Sequence, residues 1–133
     1  MIDFATVELP SSPNAYLVCT AEYCQAAEAQ TASPVIPAPA ASVRDAWMAV
    51  VAEAPRTKQE AADEAALQYE FVQRSALFRF PDRITVRFIP LSETTSTVLV
   101  FSRSKFGYSD MGVNKKRVDS WLAQTVAKVE GAP

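Results

Sequence analysis

The 133-residue sequence predicts one α+β domain, in which an antiparallel meander of about four to five strands packs on two helices as a two-layer sandwich. First, apolar residues recur at helical spacing in two segments, 42–54 and 114–130. Second, much of the intervening segment, 57–104, alternates apolar and polar residues, which is typical of half-buried strands. Third, the composition, 49% hydrophobic and 21% charged, is that of an ordinary globular domain.

Residues 1–41 predict an extended lead-in to a domain over 42–130. They contain an alanine-rich polar stretch and five of the nine prolines, namely Pro10, Pro13, Pro34, Pro37 and Pro39. Proline fixes φ and restricts the preceding residue, so these positions favour turn or polyproline conformations. We expect the apolar residues 16–18 to dock on the domain, and residues 34–39 suit an edge strand or a polyproline segment.

The first predicted helix covers residues 42–54. Ser42 is a good N-cap residue, and Asp45 stands at the capping-box position three residues later. Pro55 ends the helix because proline cannot continue it.

Four or five strands and a second helix are predicted to follow. In chain order we expect a strand over 57–62, a turn at 63–64, a strand over 67–71, a short strand over 77–80, a turn at 81–83, a strand over 84–88, a turn at 92–96 and a central strand over 97–104. Asn114 is predicted to cap the last helix, whose apolar residues fall on one face.

The composition and motifs exclude much standard enzymology. Histidine is absent, which removes the usual general base and the commonest metal ligand. No GxxxxGK, GxGxxG or GxSxG sequence occurs, so the common phosphate cradles and the serine nucleophile elbow are missing. Glu60, Asp63 and Glu64 are interpreted as a solvated turn rather than as a catalytic carboxylate pair. We therefore predict no cofactor and no metal. We also predict no membrane-spanning segment, because no run of about 18 apolar residues exists.

The two cysteines, Cys19 and Cys24, predict a disulfide bridge. Closing so short a loop stabilises by about 2 kcal/mol and requires an oxidising compartment. Two unrelated thiols are the alternative. Zinc is a poor alternative because the sequence offers no further cysteine and no histidine as ligands.

Segment 101–117 is the candidate anion-binding or ligand-binding site. It contains two of the three glycines, which indicates backbone with positive φ or a close approach to another group. After Asn114 the helix begins with three cations, where the helix dipole favours anions. Cations beside free N–H groups suit a phosphate or carboxylate. The predicted binding residues are Arg74, Arg103, Lys105, Gly107, Tyr108, Ser109, Asp110, Gly112, Asn114, Lys115 and Arg117. The alternative is a solvated turn partly neutralised by Asp110 and Asp119.

Arginines also interleave with phenylalanines over residues 74–83. From residue 66 onward there are ten Lys or Arg against six Asp or Glu, whereas the preceding residues have three against nine. This asymmetry suits an acidic partner or an anionic membrane surface, and the overall acidity argues against a general nucleic-acid binder. Arg74 and Asp82 are predicted to form an internal ion pair that fixes the hairpin.

Four segments resemble the domain-of-unknown-function family 1499 (DUF1499): PNAYLVC, AWMAVVAEAPRT, FVQRSALFRFPDRITVRF and FSRSKFGYSDMGVNKKRVD. The likeness runs from about Pro13 to Trp121. The family pattern R-S-x-S-R-x-G-x-x-D-x-G-x-N-x-x-R is matched at Arg103, Gly107, Tyr108, Ser109, Asp110, Gly112, Asn114 and Arg117, and a second motif at Arg74, Ser75, Phe80 and Asp82. The sequence departs from the family where Phe101 and Lys105 replace Arg and where Arg83 replaces a second Asp.

The resemblance implies a bacterial or plastid protein without an established activity. Such proteins often follow an export signal, a lipid-attachment cysteine or a membrane helix, which implies a cell-envelope location, periplasmic or membrane-attached. Three hypotheses follow. The first is a non-catalytic envelope domain that binds a lipid head group or an acidic partner. The second is an architectural role for the Arg and Asp array. The third is a histidine-independent enzyme using Tyr108, Ser109 and Asp110.

Overall fold

The computed structural model describes residues 1–107 and 110–131, and it confirms the predicted α+β two-layer sandwich. The elements are β1 (Ala15–Val18), β2 (Val35–Ile36), α1 (Ala40–Ala52), β3 (Thr57–Asp63), β4 (Gln68–Arg74), β5 (Pro81–Pro90), β6 (Ser96–Ser104) and α2 (Val113–Glu130). The lead-in contributes two short strands to the sheet: β2 lies within residues 34–39, where an edge strand was one of the two predicted alternatives, and β1 includes residues 16–18, which were expected to dock on the domain. Within the described residues, no helix is both long enough and apolar enough to cross a bilayer.

All strand pairs of the sheet are antiparallel, and the strand order is β1-β6-β5-β4-β3. Strand β2 pairs with the beginning of β6, on the same side as β1. Strand β6 is therefore central, as its density of apolar residues predicts. In the β5–β6 ladder Asp82 lies opposite Ser104, so the loops after β4 and after β6 emerge at the same end of the sheet.

The core between the helices and the sheet is filled by aromatic rings. Trp47 of α1 is fully buried, and its ring centroid lies 5.6 Å from that of Trp121 of α2. On the sheet, the rings of Phe71 and Phe88 lie 6.4 and 6.2 Å from Trp47. These edge and tilted contacts join both helices to the sheet around one side chain.

The opposite face of the sheet is covered by the N-terminal lead-in. Phe4 and Val7 pack there with Leu17, Leu99 and Phe101 in a second buried cluster. The cluster also contains the disulfide between Cys19 and Cys24, which is present as predicted. The lead-in therefore buries the second face of the sheet around β1 and β6.

Helix α1 begins two residues earlier than predicted, and Ser42 is not its N-cap. Pro39 precedes the helix with φ −58°, and its carbonyl accepts hydrogen bonds from the N–H groups of Ser42 and Val43. The fixed φ of proline suits the start of a helix. Its missing N–H has no effect there, because the first N–H groups of a helix have no partner within the helix. Asp45 consequently lies inside the helix, where its carboxylate pairs with Arg44 at 3.0 Å.

The predicted strand over 77–80 and the predicted turn over 81–83 are wrong, because residues 75–80 form a loop and β5 already begins at Pro81. Two hydrogen bonds close the loop: the Ser75 N–H donates to the Phe80 carbonyl, and the Phe80 N–H donates to the Ser75 hydroxyl, each at 3.0 Å. Arg79 adopts φ 60°, a left-handed conformation that a strand does not contain. The alternation of apolar residues in this loop therefore does not bury them.

Candidate functional site

The loop before α2 is held by a buried polar cluster around Asn114, which is fully buried. The Asn114 side-chain amide donates to the Asn14 carbonyl at 3.0 Å, to the Ser104 hydroxyl at 2.9 Å and to the Asp110 carboxylate at 2.7 Å. Its side-chain oxygen accepts from the Ser102 hydroxyl at 2.6 Å and from the Arg117 guanidinium at 2.8 Å. One asparagine thus ties α2 to β6 and to the residue before β1.

The prediction that Asn114 caps α2 is wrong. The helix begins at Val113, and Gly112 precedes it with φ 80°, so the expected positive φ is present at that glycine. The Asp110 carboxylate accepts from the backbone N–H of Gly112 at 2.8 Å and of Asn114 at 3.3 Å. Asp110 therefore places a negative charge at the positive end of the helix. The Asn114 side chain instead forms hydrogen bonds within the buried polar cluster.

The Arg117 side chain is buried and paired with Asp82, whose carboxylate lies 2.7 Å from the guanidinium. It also donates to the side chains of Gln73 and Ser102 at 2.6 and 3.0 Å. The predicted pairing of Asp82 with Arg74 is wrong because neighbouring strand residues alternate between faces. Gln73, which lies opposite Asp82, reaches the helix side, whereas Arg74 donates to the Arg79 carbonyl at 3.0 Å.

Arg103 lies on the other face of the sheet and is also paired. Its guanidinium lies 3.2 Å from the Glu70 carboxylate, donates to the Thr85 hydroxyl at 2.8 Å and stacks 4.9 Å from the ring centre of Phe101. Burial lowers the pKa of Arg103, and the charge of Glu70 opposes that change. Glu70 is shared with Arg83 at 3.5 Å, so this face carries a cross-strand charge network.

Lys115 is neutralised by Asp119 one turn later on α2. This hydrogen-bonded carboxylate raises the pKa of Lys115. Its ammonium also lies 5.6 Å from the ring centre of Tyr16. The structure therefore gives three of the predicted binding cations, Arg103, Lys115 and Arg117, carboxylate partners within the protein.

Four other cations at the same end of the molecule lack such partners. Arg74, Arg79, Lys105 and Lys116 are exposed, and none forms an ion pair with any carboxylate of residues 1–107 and 110–131. The Lys105 ammonium lies 5.8 Å from the ring centre of Phe106, itself exposed. Their positive charges are therefore exposed to solvent and could contact a ligand.

Exposed apolar side chains are concentrated beside these cations. The rings of Phe78 and Phe80 stack at 5.4 Å, and Phe80 lies 5.2 Å from Phe106 across the two loops. Phe78 and Phe106 are 67% and 50% exposed, and Leu77 is 79% exposed. We call residues 74–80 and 105–107 the basic aromatic end. Because exposed apolar groups of this kind are uncommon on folded domains, we take this end as the candidate functional surface.

The exposure of Phe78 and Phe80 was not predicted from the sequence, because a strand was expected over residues 77–80. No local signal in the sequence distinguishes these exposed rings from the apolar residues of a half-buried strand. Gly107 belongs to the same end: it has φ 86°, as expected, and its carbonyl accepts from the Asn14 amide at 3.1 Å. Tyr108 and Ser109, on which the enzymatic hypothesis depends, lie outside the described residues.

Comparison with known proteins places the chain in a family. A family described as a protein of unknown function (DUF1499) matches residues 7–124. No curated protein matches.

Solved structures resemble the chain at low sequence identity. The crystal structure of Ara h 8.0201 is 12% identical, with a TM-score of 0.57 over 75% of this chain and 95% of that one. The ZhuI aromatase/cyclase from Streptomyces sp. R1128 is 15% identical, with a TM-score of 0.40 over 74% of this chain and 90% of that one. TTHA0849 from Thermus thermophilus is 16% identical, with a TM-score of 0.33 over 73% and 90%. The first similarity is one of fold alone. Because the family match spans most of its length, the chain belongs to the DUF1499 family, whose function is unknown.

Proposed function

We propose that this protein is a non-catalytic domain of the bacterial cell envelope that attaches to an anionic lipid surface through its basic aromatic end. The observation that carries the proposal is the exposed stack of Phe78, Phe80 and Phe106 beside Arg79 and Lys105. Apolar rings and unpaired cations on one surface are the two components of peripheral attachment to a charged membrane.

The rings supply the apolar part of the attachment. Fully burying an exposed phenylalanine side chain contributes about 1.5–3 kcal/mol, and phenylalanine is among the apolar residues that peripheral segments insert at the boundary between head groups and acyl chains. The three rings lie on two neighbouring loops and already contact one another. They can enter a fluid interface together without a partner of complementary shape, which favours lipid over an acidic protein.

The cations supply the electrostatic part. A Lys or Arg close to an anionic leaflet contributes about 1 kcal/mol, and the attraction weakens as salt screens it. Arg74, Arg79 and Lys105 belong to this end and have no internal carboxylate partners among the described residues. Neither component is large alone, so stable attachment requires both.

The disulfide supports the proposed location in the bacterial cell envelope. A buried Cys19–Cys24 bridge persists where the surroundings are oxidising, as in the bacterial periplasm. An envelope protein in that compartment meets anionic phospholipid surfaces, which fits the sign of the basic aromatic end.

Cosedimentation with vesicles tests this function. We expect retention by phosphatidylcholine vesicles that contain phosphatidylglycerol, and release as ionic strength rises above about 0.1 M. The double variant Phe78→Ser, Phe106→Ser should lower the affinity at least about tenfold, because two rings no longer leave water. Leu91→Ser is the matched control, since Leu91 is 46% exposed in the β5–β6 turn at the opposite end. Equal retention by pure phosphatidylcholine, or no retention by either vesicle, overturns the proposal.

The architectural hypothesis is the second candidate, and it concerns different residues. Asp110, Asn114 and Arg117 of the family motif bond one another or neighbouring strands, and the charge of Arg117 is balanced by Asp82. We propose that these motif residues hold the loop before α2 in place and contact no ligand. The stability of Arg117 variants tests this role, because a residue that only bound a ligand could be replaced without loss of stability.

A further inference from the structure

A cleft of about 420 Å³ adjoins the basic aromatic end on the side of the edge strand β3. It lies between the start of β3 and the end of β4, and its lining residues are Arg56, Thr57, Lys58, Glu60, Val72 and Arg74. The last of these residues leads directly into the loop that carries Phe78 and Phe80.

The cleft carries an excess of positive charge. Three of its lining residues are cations, and none of the three pairs with a carboxylate in the part of the chain that the structure describes. Its single carboxylate, Glu60, is engaged by Arg83 at 3.1 Å. The positive charge of the cleft is therefore not balanced from within.

Two of the cations are held in place by each other's backbone. The Arg74 N–H donates to the Arg56 carbonyl at 3.0 Å, and the Arg56 Nε donates to the Arg74 carbonyl at 2.9 Å. Arg56 adopts φ 52°, which residues other than glycine rarely adopt. Arg74 Nη1 is fixed by the Arg79 carbonyl. These bonds leave both Nη groups of Arg56 and the Nη2 of Arg74 without a partner among the described residues.

We propose that this cleft binds the phosphate of a phosphate monoester. A monoester carries about −1.5 to −2 charges at neutral pH, more than a carboxylate or a phosphodiester, and this matches a site with three cations. Guanidinium groups bind phosphate oxygens in a bidentate fork, and lysine adds a compact charge. Arg56 is the fork donor through its two Nη groups, Arg74 Nη2 adds one further donor, and Lys58 is the point charge.

The monoester has two sources, a soluble metabolite or a lipid head group such as that of phosphatidic acid. The lipid source rests on the proposed function, because it requires the basic aromatic end to lie on the membrane. The soluble source does not. The cleft itself can therefore be tested without any membrane.

The first experiment titrates the protein with glycerol 3-phosphate and, separately, with inorganic phosphate, and follows backbone amide shifts by NMR. We expect saturable shifts centred on Arg56, Lys58 and Arg74. Lys58→Gln should weaken this binding about tenfold, since one charge-assisted contact is lost. Lys58 is exposed on an edge strand, so this variant should fold. Lys128→Gln, an exposed lysine near the end of α2, is the matched control.

The outcomes separate the two proposals. Shifts that do not saturate, or that spread over all surface lysines, overturn the cleft as a site even if phosphatidylglycerol vesicles retain the protein. Saturable shifts establish the cleft even if no vesicle retains it, and then assign the soluble source. A preference for phosphatidic acid over phosphatidylglycerol vesicles of equal surface potential, abolished by Lys58→Gln, assigns the lipid source.

Discussion

The largely buried cations Arg103 and Arg117 and the exposed cations Arg79 and Lys105 lie within one half of the molecule but differ in how their charge is balanced. The Arg117 side chain is buried, at 7% exposure, that of Arg103 is partly buried, at 19%, and each has a carboxylate within 3.2 Å. The exposed pair has none among the described residues and lies beside exposed rings. A buried cation is tolerated only when it is paired, whereas an exposed one needs no internal partner.

This difference bears on the cations that the sequence crowds into the first turn of α2. Such charges oppose the helix dipole and suggest a bound anion. Arg117 and Lys115 are instead neutralised by Asp82 and Asp119, and Asp110 supplies an acid at the helix start. We therefore place the proposed lipid contact on the neighbouring loops rather than at the helix start.

The largest expected effect breaks a buried pair. Arg117→Met should lower the free energy of unfolding by about 3–5 kcal/mol, because Asp82 keeps a largely buried charge with no partner. Urea denaturation followed by tryptophan fluorescence measures the loss. Arg79→Met is the matched control, and we expect it to stay within about 0.5 kcal/mol of the unmodified protein.

Where Arg117→Met does not fold, Arg117→Lys keeps the comparison testable. Lysine retains the charge but lacks the planar fork that reaches several acceptors at once, so an intermediate loss is expected. Equal stability of the Arg117 and Arg79 variants would show that burial does not separate the two classes of cation.

Reducing the Cys19–Cys24 bridge should lower the free energy of unfolding by about 2 kcal/mol, the value for a short closed loop. The bridge lies in the cluster that covers the second face of the sheet, remote from the loops of the basic aromatic end. Vesicle binding at a temperature where the protein stays folded should therefore not change. The double variant Cys19→Ala, Cys24→Ala should match the reduced protein and show no response to reductant. An unchanged unfolding midpoint after reduction would contradict this expectation.

Whether a segment is buried or exposed also explains which parts of the fold could be predicted from the sequence. Strands β4 and β6 were predictable because alternation or density of apolar residues reports burial directly. The disulfide was predictable because the sequence contains only two cysteines and they are close together. The loop over 75–80 was mispredicted because its apolar residues alternate as in a strand, and only the bonds between Ser75 and Phe80 reveal that it closes on itself.

The candidate site was harder to predict because its decisive contacts are distant in sequence. Arg117 meets Asp82, 35 residues earlier, only because α2 packs over β1 and β6 and the long Arg117 side chain reaches from there to the start of β5. Local spacing instead suggested Arg74, which lies on the opposite face. The sequence could identify which segments are basic, but the packing of helix on sheet decides which cations form ion pairs within the protein.

Tyr69 extends the comparison to a paired group at the far end of the sheet. Its buried hydroxyl donates to the Glu64 carboxylate at 2.7 Å, and Tyr69→Phe should cost about 1 kcal/mol near pH 7. Burial, together with this hydrogen bond, raises the pKa of Tyr69 above 10.0. Its stabilising contribution is therefore complete below the unfolded pKa and is lost as pH rises through the folded value.

Urea denaturation at about pH 8 and about pH 11 tests the sign of this linkage. The stability gap between the unmodified protein and Tyr69→Phe should close as pH rises. A gap that stays constant across this range would show that the buried hydroxyl does not titrate with folding.

The smallest expected effect on stability is that of Lys105→Gln, which should change the free energy of unfolding by no more than about 0.5 kcal/mol. It should nevertheless weaken binding to phosphatidylglycerol vesicles about fivefold, because one cation near the surface contributes about 1 kcal/mol.

Arg103→Gln should do the reverse, lowering stability through the loss of its bonds to Glu70 and Thr85 while vesicle affinity is kept. A single residue separates these cations in sequence, but only Lys105 is free to meet a lipid head group. If Arg103→Gln stays folded and loses as much affinity as Lys105→Gln, internal pairing does not withdraw a cation from binding, and the division drawn between the two sets fails.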